Sequence, residues 1–114
     1  DGLVLHMATR GVSVARDGAE VVLDVAAGEP WDDLVASTVA EGFGGLEALS
    51  GIPGLVGATP IQNVGAYGRE VAQVIEAVEV YDTRAHTTRT FRRDECAFRY
   101  RTSRFKQEPW LVVL

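Results

Sequence analysis

The sequence contains very few of the residues that bind metals or close disulfides. Its 114 residues include one cysteine, Cys96, and two histidines, His6 and His86. A single cysteine excludes an internal disulfide and a thiolate cluster. The histidines are too far apart in sequence to form the closely spaced pair of a metal-binding helix. We therefore predict no metal site and a structural role for the free thiol.

Long hydrophobic runs are also missing. No apolar stretch approaches the ~20 residues that cross a bilayer, and the acidic start at Asp1 does not resemble the basic end of a signal peptide. Hydrophobic residues make up 46% of the chain and charged residues 24%, which is a globular composition rather than that of a disordered segment. We expect one cytoplasmic domain with no membrane partner.

Basic residues are scarce in most of the chain and concentrated near its end. Residues 1–83 hold 3 basic and 13 acidic residues (−10), whereas residues 84–114 hold 8 and 3 (+5). A solvated face and a site for a small phosphorylated ligand both explain this concentration. Nucleic acid is a poor candidate, because the chain is acidic overall and has no nucleic-acid-binding motif. The concentrated basic residues are Arg84, Arg89, Arg92, Arg93, Arg99, Arg101, Arg104 and Lys106.

Alternating apolar residues predict short antiparallel strands. Residues 3–5 and 12–14 have strand character, and Asp17-Gly18 is a strong hairpin turn before a strand at residues 20–25. A second group of strands is predicted further along the chain, with the first two of them forming a hairpin: residues 78–82, 87–91 and 110–114.

One helix is predicted between Gly28 and Gly42. Pro30 suits the start of a helix, the acidic pair that follows favours its positive end, and Gly42 provides a stop. Four apolar residues at i, i+3, i+4 and i+8 would share one buried face: Trp31, Leu34, Val35 and Val39. Trp31 is therefore better explained as a core anchor than as a platform for a ligand.

Glycine is concentrated in one segment, since eight of the twelve glycines lie within residues 42–68. This density predicts a long ordered loop or a binding surface rather than regular structure. Prolines at 53 and 60 would rigidify the segment, its backbone N–H groups could bind pyrophosphate, and Gln62 and Asn63 could meet a polar ring edge. A purely structural loop remains an equal alternative, because neither GxxxxGK[ST] nor a strand followed by GxGxxG is present.

Two ordered motifs resemble a known family. The first runs from Leu49 through Gly68 and continues to Glu70, and the second is Cys96-Ala97-Phe98-Arg99-Tyr100-Arg101-Thr102-Ser103-Arg104-Phe105-Lys106. Both resemble stretches of the UDP-N-acetylenolpyruvoylglucosamine reductases, flavoenzymes of peptidoglycan precursor synthesis. The similarity extends over nearly the whole chain.

The resemblance implies an α+β fold, namely an FAD-binding domain of the vanillyl-alcohol-oxidase-like type with a mostly antiparallel sheet and a packed helix. It implies that residues 1–114 form a single FAD-binding domain or subdomain. The family's earlier phosphate-binding glycine loop would precede Asp1, and its substrate domain would follow Leu114. We accordingly expect this segment alone to be inactive.

The resemblance also implies cofactors and site residues. FAD would be the bound cofactor, NADPH the hydride donor and a UDP-sugar enolpyruvyl ether the substrate. Arg101 matches the family's catalytic arginine, Tyr67 and Tyr100 would join it in binding substrate, and Ser103 would supply a supporting hydrogen bond. The implied FAD contacts are Ile52, Gly57, Ala58, Thr59, Ile61, Gln62 and Gly65.

Two other interpretations remain open at the level of sequence. Another oxidase or dehydrogenase of the same fold would bind FAD but ignore the UDP-sugar. A non-catalytic interaction domain would pack the glycine-rich segment against a protein partner and bind no flavin.

Overall fold

The computed structural model describes residues 9–17 and 20–114. In these residues the strands form three small antiparallel sheets, and the one helix of more than four residues packs against residues of the first two. The elements are β1 (Val12–Asp17), β2 (Glu20–Val25), α1 (Trp31–Ala40), β3 (Gly65–Ala66), β4 (Arg69–Glu70), β5 (Ala77–Asp82), β6 (Thr87–Arg92), α2 (Arg104–Gln107) and β7 (Leu111–Val113).

The first two strands form the predicted hairpin. β1 and β2 pair antiparallel from Val12 opposite Val25 to Asp17 opposite Glu20, which leaves a two-residue connection. The strand prediction for residues 20–25 is confirmed, and the strand at 12–14 extends to residue 17. The turn residue Gly18, His6 and the strand predicted at residues 3–5 lie outside the described residues.

Helix α1 begins directly after Pro30 and ends before Gly42, as its sequence signals predict. Trp31 is 3% exposed, and its indole N–H donates to the carbonyl of Leu49 at 3.0 Å, so its role as a core anchor is confirmed. The prediction for Val39 was wrong: this residue is 55% exposed, and Thr38 is buried instead. Thr38 can be buried because its hydroxyl donates within the helix to the carbonyl of Val35.

The later strands form a three-stranded sheet in the order β6-β5-β7. β5 pairs antiparallel with both neighbours, which confirms the predicted hairpin and the final strand. One face of the sheet packs against α2 through the edge-to-face pair Phe91 and Phe105. Cys96 is fully buried beside them, and burial raises the pKa of its thiol to about 11. The structural interpretation of Cys96 is therefore confirmed.

The glycine-rich segment folds as an ordered loop with little regular structure. It contains two short 3-10 turns, Glu47–Leu49 and Val56–Ala58, before the small β3-β4 hairpin. Leu49 and Val56 pack with the buried face of α1 in a second core cluster. The glycine-rich segment is therefore held in place by packing against α1 and does not project freely into solvent.

The longest helix in the described part of the chain has ten residues, and none is long and apolar enough to cross a membrane. Residues 9–17 and 20–114 also contain no group of three histidine, cysteine or acidic residues that could hold a metal ion.

Candidate functional site

Arg101 lies on a tight turn between residues 99 and 102. The N–H of Arg99 donates to the carbonyl of Thr102 at 3.1 Å, and the N–H of Thr102 donates back to the carbonyl of Arg99 at 3.2 Å. Tyr100 and Arg101 form the tip of this turn, and Arg101 has a φ of +52°. A positive φ is uncommon for a residue with a Cβ, so neighbouring contacts must hold the turn in this shape.

The Arg101 guanidinium reaches back onto the glycine-rich segment. Its Nη1 donates to the carbonyl of Asn63 at 3.3 Å and lies 3.5 Å from Oε2 of Glu70. Its Nη2 donates to the carbonyl of Gly65 at 3.2 Å. The side chain is still 38% exposed, so a face of the guanidinium remains open to a ligand.

Gly65 must be glycine for this contact to exist. A Cβ at this residue would lie 2.4 Å from the carbonyl oxygen of Arg69 and 2.8 Å from Nη1 of Arg101. Both distances are shorter than real Cβ contacts allow, so the missing side chain lets the β3-β4 hairpin close and the guanidinium approach.

Asn63 and Ser103 attach the two motifs to each other through buried hydrogen bonds. The side-chain amide of Asn63 donates to the carbonyl of Arg99 at 2.9 Å, and its Oδ1 accepts from the N–H of Ala72 at 3.0 Å. The hydroxyl of Ser103 donates to the carbonyl of Ile61 at 2.7 Å, which confirms the supporting hydrogen bond predicted for it.

The suggestion that Asn63 meets a polar ring edge was wrong. The residue is 1% exposed, and both functions of its amide are used by backbone groups. Its neighbour Gln62 is exposed and is free to face a ligand. The amide of Asn63 therefore has a structural role, whereas the amide of Gln62 is accessible to a ligand.

Tyr67 and Tyr100 both lie at the surface. Tyr67 is 91% exposed at the tip of the β3-β4 hairpin, and Tyr100 is 80% exposed on the turn that carries Arg101. The guanidinium carbon of Arg101 lies 4.6 Å from the centre of the Tyr100 ring. Both rings are therefore accessible to a ligand rather than packed in the core.

Three of the residues expected to contact FAD line one apolar groove of about 490 Å³: Gly57, Ala58 and Ile61. The opposite side of the groove is formed by α2, β7 and the residues between them, and Lys106 is its charged member. Ser103 connects the groove to the Arg101 turn, because its hydroxyl bonds to Ile61 at the groove.

The other expected FAD contacts are placed differently. Ile52 packs against the core cluster of α1, and the hydroxyl of the buried Thr59 donates to the carbonyl of Val56 at 2.7 Å. Gly57 has a packing role as well as a place in the groove, since a Cβ there would lie 2.4 Å from that of Ala27. Gln62 is exposed and directly follows the groove residue Ile61, and the carbonyl of Gly65 contacts Arg101.

Most of the basic residues near the end of the chain have structural partners rather than a common ligand site. Arg84 stacks 3.5 Å above the ring of Trp110, Arg89 pairs with Asp82 at 3.0 Å, and Arg104 pairs with Glu108. The side chain of Arg101 instead donates to two backbone carbonyls of the glycine-rich segment. The charge asymmetry therefore does not define a single anion-binding surface.

Sequence reasoning did not identify two structural features of the candidate site. Glu70 was noted only as part of the matched motif, yet its carboxylate faces Arg101. Asn63 was assigned to a ligand, although it bonds to a backbone group 36 residues away. No local pattern reports such a long-range contact, so an aligned family of sequences would have been the signal needed.

An antiparallel α+β domain with an apolar groove on a glycine-rich segment, next to a fixed and accessible arginine, defines a class of cofactor-binding domain. The sequence profile described as "FAD binding domain" matches residues 1–90. The chain belongs to this FAD-binding domain family. The fold class expected from the sequence is thereby confirmed.

Comparison with individual proteins agrees with this assignment. The chain is 54% identical over 114 residues to the UDP-N-acetylenolpyruvoylglucosamine reductase of Salinispora arenicola, covering 99% of the chain and 31% of the relative. It is 55% identical to the reductase of the same name from Streptomyces coelicolor, covering 100% of the chain and 29% of the relative. The chain therefore spans about a third of the length of these curated relatives.

A solved structure gives the same result for the fold. The crystal structure of UDP-N-acetylenolpyruvylglucosamine reductase from Thermus caldophilus matches with a TM-score of 0.70 at 35% identity, over 78% of this chain and 32% of that one. The resemblance to the FAD-binding portion of this reductase family, suggested by the two motifs, is confirmed.

Proposed function

We propose that this chain is part of an FAD-dependent reductase of peptidoglycan precursor synthesis. The full enzyme would use NADPH to reduce UDP-N-acetylglucosamine enolpyruvate to UDP-N-acetylmuramate, and we assign it to the cytoplasm, where NADPH is available. The observation that carries the proposal is the contact between the two motifs. Arg101, from the second motif, donates to the carbonyls of Asn63 and Gly65 in the first.

The groove residues fit a flat, largely apolar cofactor. Gly57 and Ala58 present little side-chain bulk along a groove of about 490 Å³, Ile61 adds an apolar side chain, and Lys106 offers a positive charge to a phosphate. Within the described residues, the backbone N–H groups of Ile61 and Gln62 donate to no protein acceptor. These features suit the ring system and pyrophosphate of FAD.

Gly57, Ala58 and Ile61 line the groove, and the other four residues implied by the family lie in the same glycine-rich segment outside it. We propose that all seven contact the cofactor: Ile52, Gly57, Ala58, Thr59, Ile61, Gln62 and Gly65. Bound FAD would supply the capacity to take a hydride from NADPH and deliver it to the substrate. The contribution of the protein is to hold the two reactants in position and to stabilise the charge that develops between them.

Arg101 is suited to stabilise that charge. Hydride arrival at the enolpyruvyl double bond pushes negative charge toward the neighbouring carboxylate, and a fixed guanidinium there stabilises the transition state more than the ground state. The guanidinium has five N–H donors, and its contacts to Asn63, Gly65 and Glu70 use three of them, two on Nη1 and one on Nη2. The exposed side could grip a carboxylate through two hydrogen bonds.

Tyr67 and Tyr100 would complete the substrate surface. Both rings are exposed, so each offers an aromatic face and a hydroxyl to a sugar or nucleotide. Arg101 would meet the charged end of the substrate, and the tyrosines would meet its uncharged parts.

The proposal is tested by replacing Arg101 in the full-length, flavin-loaded protein. We expect Arg101→Ala to lower turnover by ~10²-fold or more, the scale of a lost oxyanion donor. Arg101→Lys should fail to restore it, because an ammonium group does not provide the planar fork. Arg92→Ala, at an exposed arginine on β6, is the matched control and should keep normal turnover. Near-normal turnover of Arg101→Ala would remove this residue from the mechanism.

A further inference from the structure

We propose that Asn63 is a positioning residue that fixes Arg101 at the site by fastening the 99–102 turn to the glycine-rich segment. The inference rests on the function proposed above for Arg101. It assigns to Asn63 no contact with cofactor or substrate.

The burial of Asn63 excludes a direct role in binding. The residue is 1% exposed and lies among the largest fully buried side chains of the described chain. A buried amide must satisfy its hydrogen-bonding groups within the protein. Asn63 does so with the carbonyl of Arg99 at 2.9 Å and the N–H of Ala72 at 3.0 Å.

These partners also determine which way the amide faces. The N–H of Ala72 can only donate, so it requires the oxygen of the amide, and the carbonyl of Arg99 can only accept, so it requires the nitrogen. No flipped orientation satisfies both groups. Asn63 therefore links the segment after β4 to the turn that carries Arg101, in a single fixed geometry.

A second hydrogen bond reinforces this link from the same residue. While the side chain of Asn63 holds Arg99, its backbone carbonyl accepts from Nη1 of Arg101 at 3.3 Å. One residue thus sets both the backbone position of the turn and the direction of the guanidinium.

Backbone geometry explains why such a fastener is needed. Arg101 has a φ of +52°, and residues with side chains keep that conformation only where surrounding contacts fix it. Asn63 itself has a φ of +43°, which asparagine tolerates better than most residues. Residue 63 therefore suits asparagine in its backbone as well as in its side chain.

Asn63→Asp in the full-length, flavin-loaded protein isolates the fastening bond. Aspartate keeps the size, the tolerance of positive φ and the oxygen that accepts from Ala72, but its carboxylate replaces the donor to Arg99 with an acceptor and adds a buried charge. Asn63→Gly is the second variant, because glycine keeps the backbone conformation and removes the whole amide. Thr38→Val is the matched control, since Thr38 is a buried hydrogen-bonding residue on α1, remote from the turn in the chain.

The first measurement follows the rate at which the enolpyruvyl substrate reoxidises the reduced flavin. We expect Asn63→Asp to lower this rate by ~10²-fold, as a displacement of about 1 Å at a catalytic group does, with the flavin spectrum unchanged. The double variant with Arg101→Ala should be no slower than Arg101→Ala alone, because Asn63 acts through Arg101. Thr38→Val should keep the wild-type rate.

A second measurement does not depend on the activity. Hydrogen exchange at the amides of Arg99 and Thr102 should be roughly tenfold faster in Asn63→Asp, where the turn loosens, and unchanged in Thr38→Val. If the wild-type flavin is not reoxidised by the substrate at all, the proposed function fails, and exchange alone decides whether Asn63 fastens the turn.

Three results would overturn the inference. If Asn63→Asp leaves both the flavin reoxidation rate and the hydrogen exchange of Arg99 and Thr102 unchanged, Asn63 does not fix the 99–102 turn. If the fold-losses in reoxidation rate of the two single variants multiply in the double variant, Asn63 and Arg101 act independently. Both Asn63→Asp and Asn63→Gly could lose the flavin and melt at a clearly lower temperature than the wild type. That result would show that Asn63 supports the fold as a whole rather than Arg101.

Discussion

Replacing Gly65 by alanine should disturb both the β3-β4 hairpin and Arg101, for a steric reason alone. The added Cβ would lie 2.4 Å from the Arg69 carbonyl and 2.8 Å from Nη1 of Arg101. Gly65 is not among the residues with a positive φ, so alanine brings no backbone strain of its own. The two close contacts must therefore account for the whole effect.

The two contacts differ in how easily they can relax. The Arg69 carbonyl belongs to the β3-β4 hairpin, in which Ala66 pairs with Arg69. If this carbonyl moves away from the new Cβ, the pairing of the two strands is disrupted. Overpacking of this kind costs ~1–3 kcal/mol of stability. The Arg101 guanidinium can move away, but it then loses its bond to the carbonyl of Gly65. If Arg101 acts as proposed, a shift of about 1 Å should lower the rate of substrate reduction by ~10²-fold.

Two other glycines supply controls for this experiment. Alanine at Gly44 would meet no atom within 4 Å and needs no positive φ, so it should be neutral. Alanine at Gly68 also meets open space, but its φ of +74° should cost about 1 kcal/mol by strain alone. Urea denaturation and flavin reoxidation by substrate would be measured for all three variants. If Gly65→Ala matches Gly44→Ala within ~0.5 kcal/mol and keeps the wild-type rate, the steric reasoning is wrong.

Two further predictions concern titratable groups outside the site. Burial raises the pKa of the Cys96 thiol to about 11, so a thiol reagent at pH 8 should modify the native protein at least ~10²-fold more slowly than the unfolded one. Because that pKa is raised on folding, stability should fall in thermal melts as the pH rises toward 11, and less so in Cys96→Ala. The N–H of Ala85 and the guanidinium of Arg89 lower the pKa of Asp82. The stabilising contribution of the Asp82 carboxylate should be present at pH 7 and decrease on acidification through its lowered pKa. Asp82→Asn should therefore destabilise the protein more at pH 7 than at pH 3, and equal loss at both would contradict this.

Local patterns predicted the regular elements well because their causes are local. The strand at residues 20–25 and the later hairpin follow from side chains that alternate between two environments, and the helix follows from Pro30 and Gly42 at its ends. Val39 shows the limit of the method. Its spacing places it on the apolar stripe, but burial also requires a neighbour that reaches the last helical turn, and sequence spacing does not report neighbours.

The candidate site was predictable only in outline. The two motifs identified the family and Arg101, but not the way in which they meet. Asn63 and Gln62 have nearly the same chemistry, yet one is buried and bonded to the backbone while the other faces solvent. The requirement for glycine at residue 65 likewise depends on a guanidinium from 36 residues further along the chain. Long-range geometry of this kind is set by packing rather than by any local pattern.

The central claim is tested most directly by reducing the full-length protein with NADPH in the absence of air and then adding UDP-N-acetylglucosamine enolpyruvate. NADPH should bleach the flavin absorbance, and the added substrate should restore it as the double bond is reduced. A flavin that bleaches but stays bleached would contradict the reductase and point to another flavoenzyme of the same fold. A protein that carries no flavin would contradict the cofactor site as well.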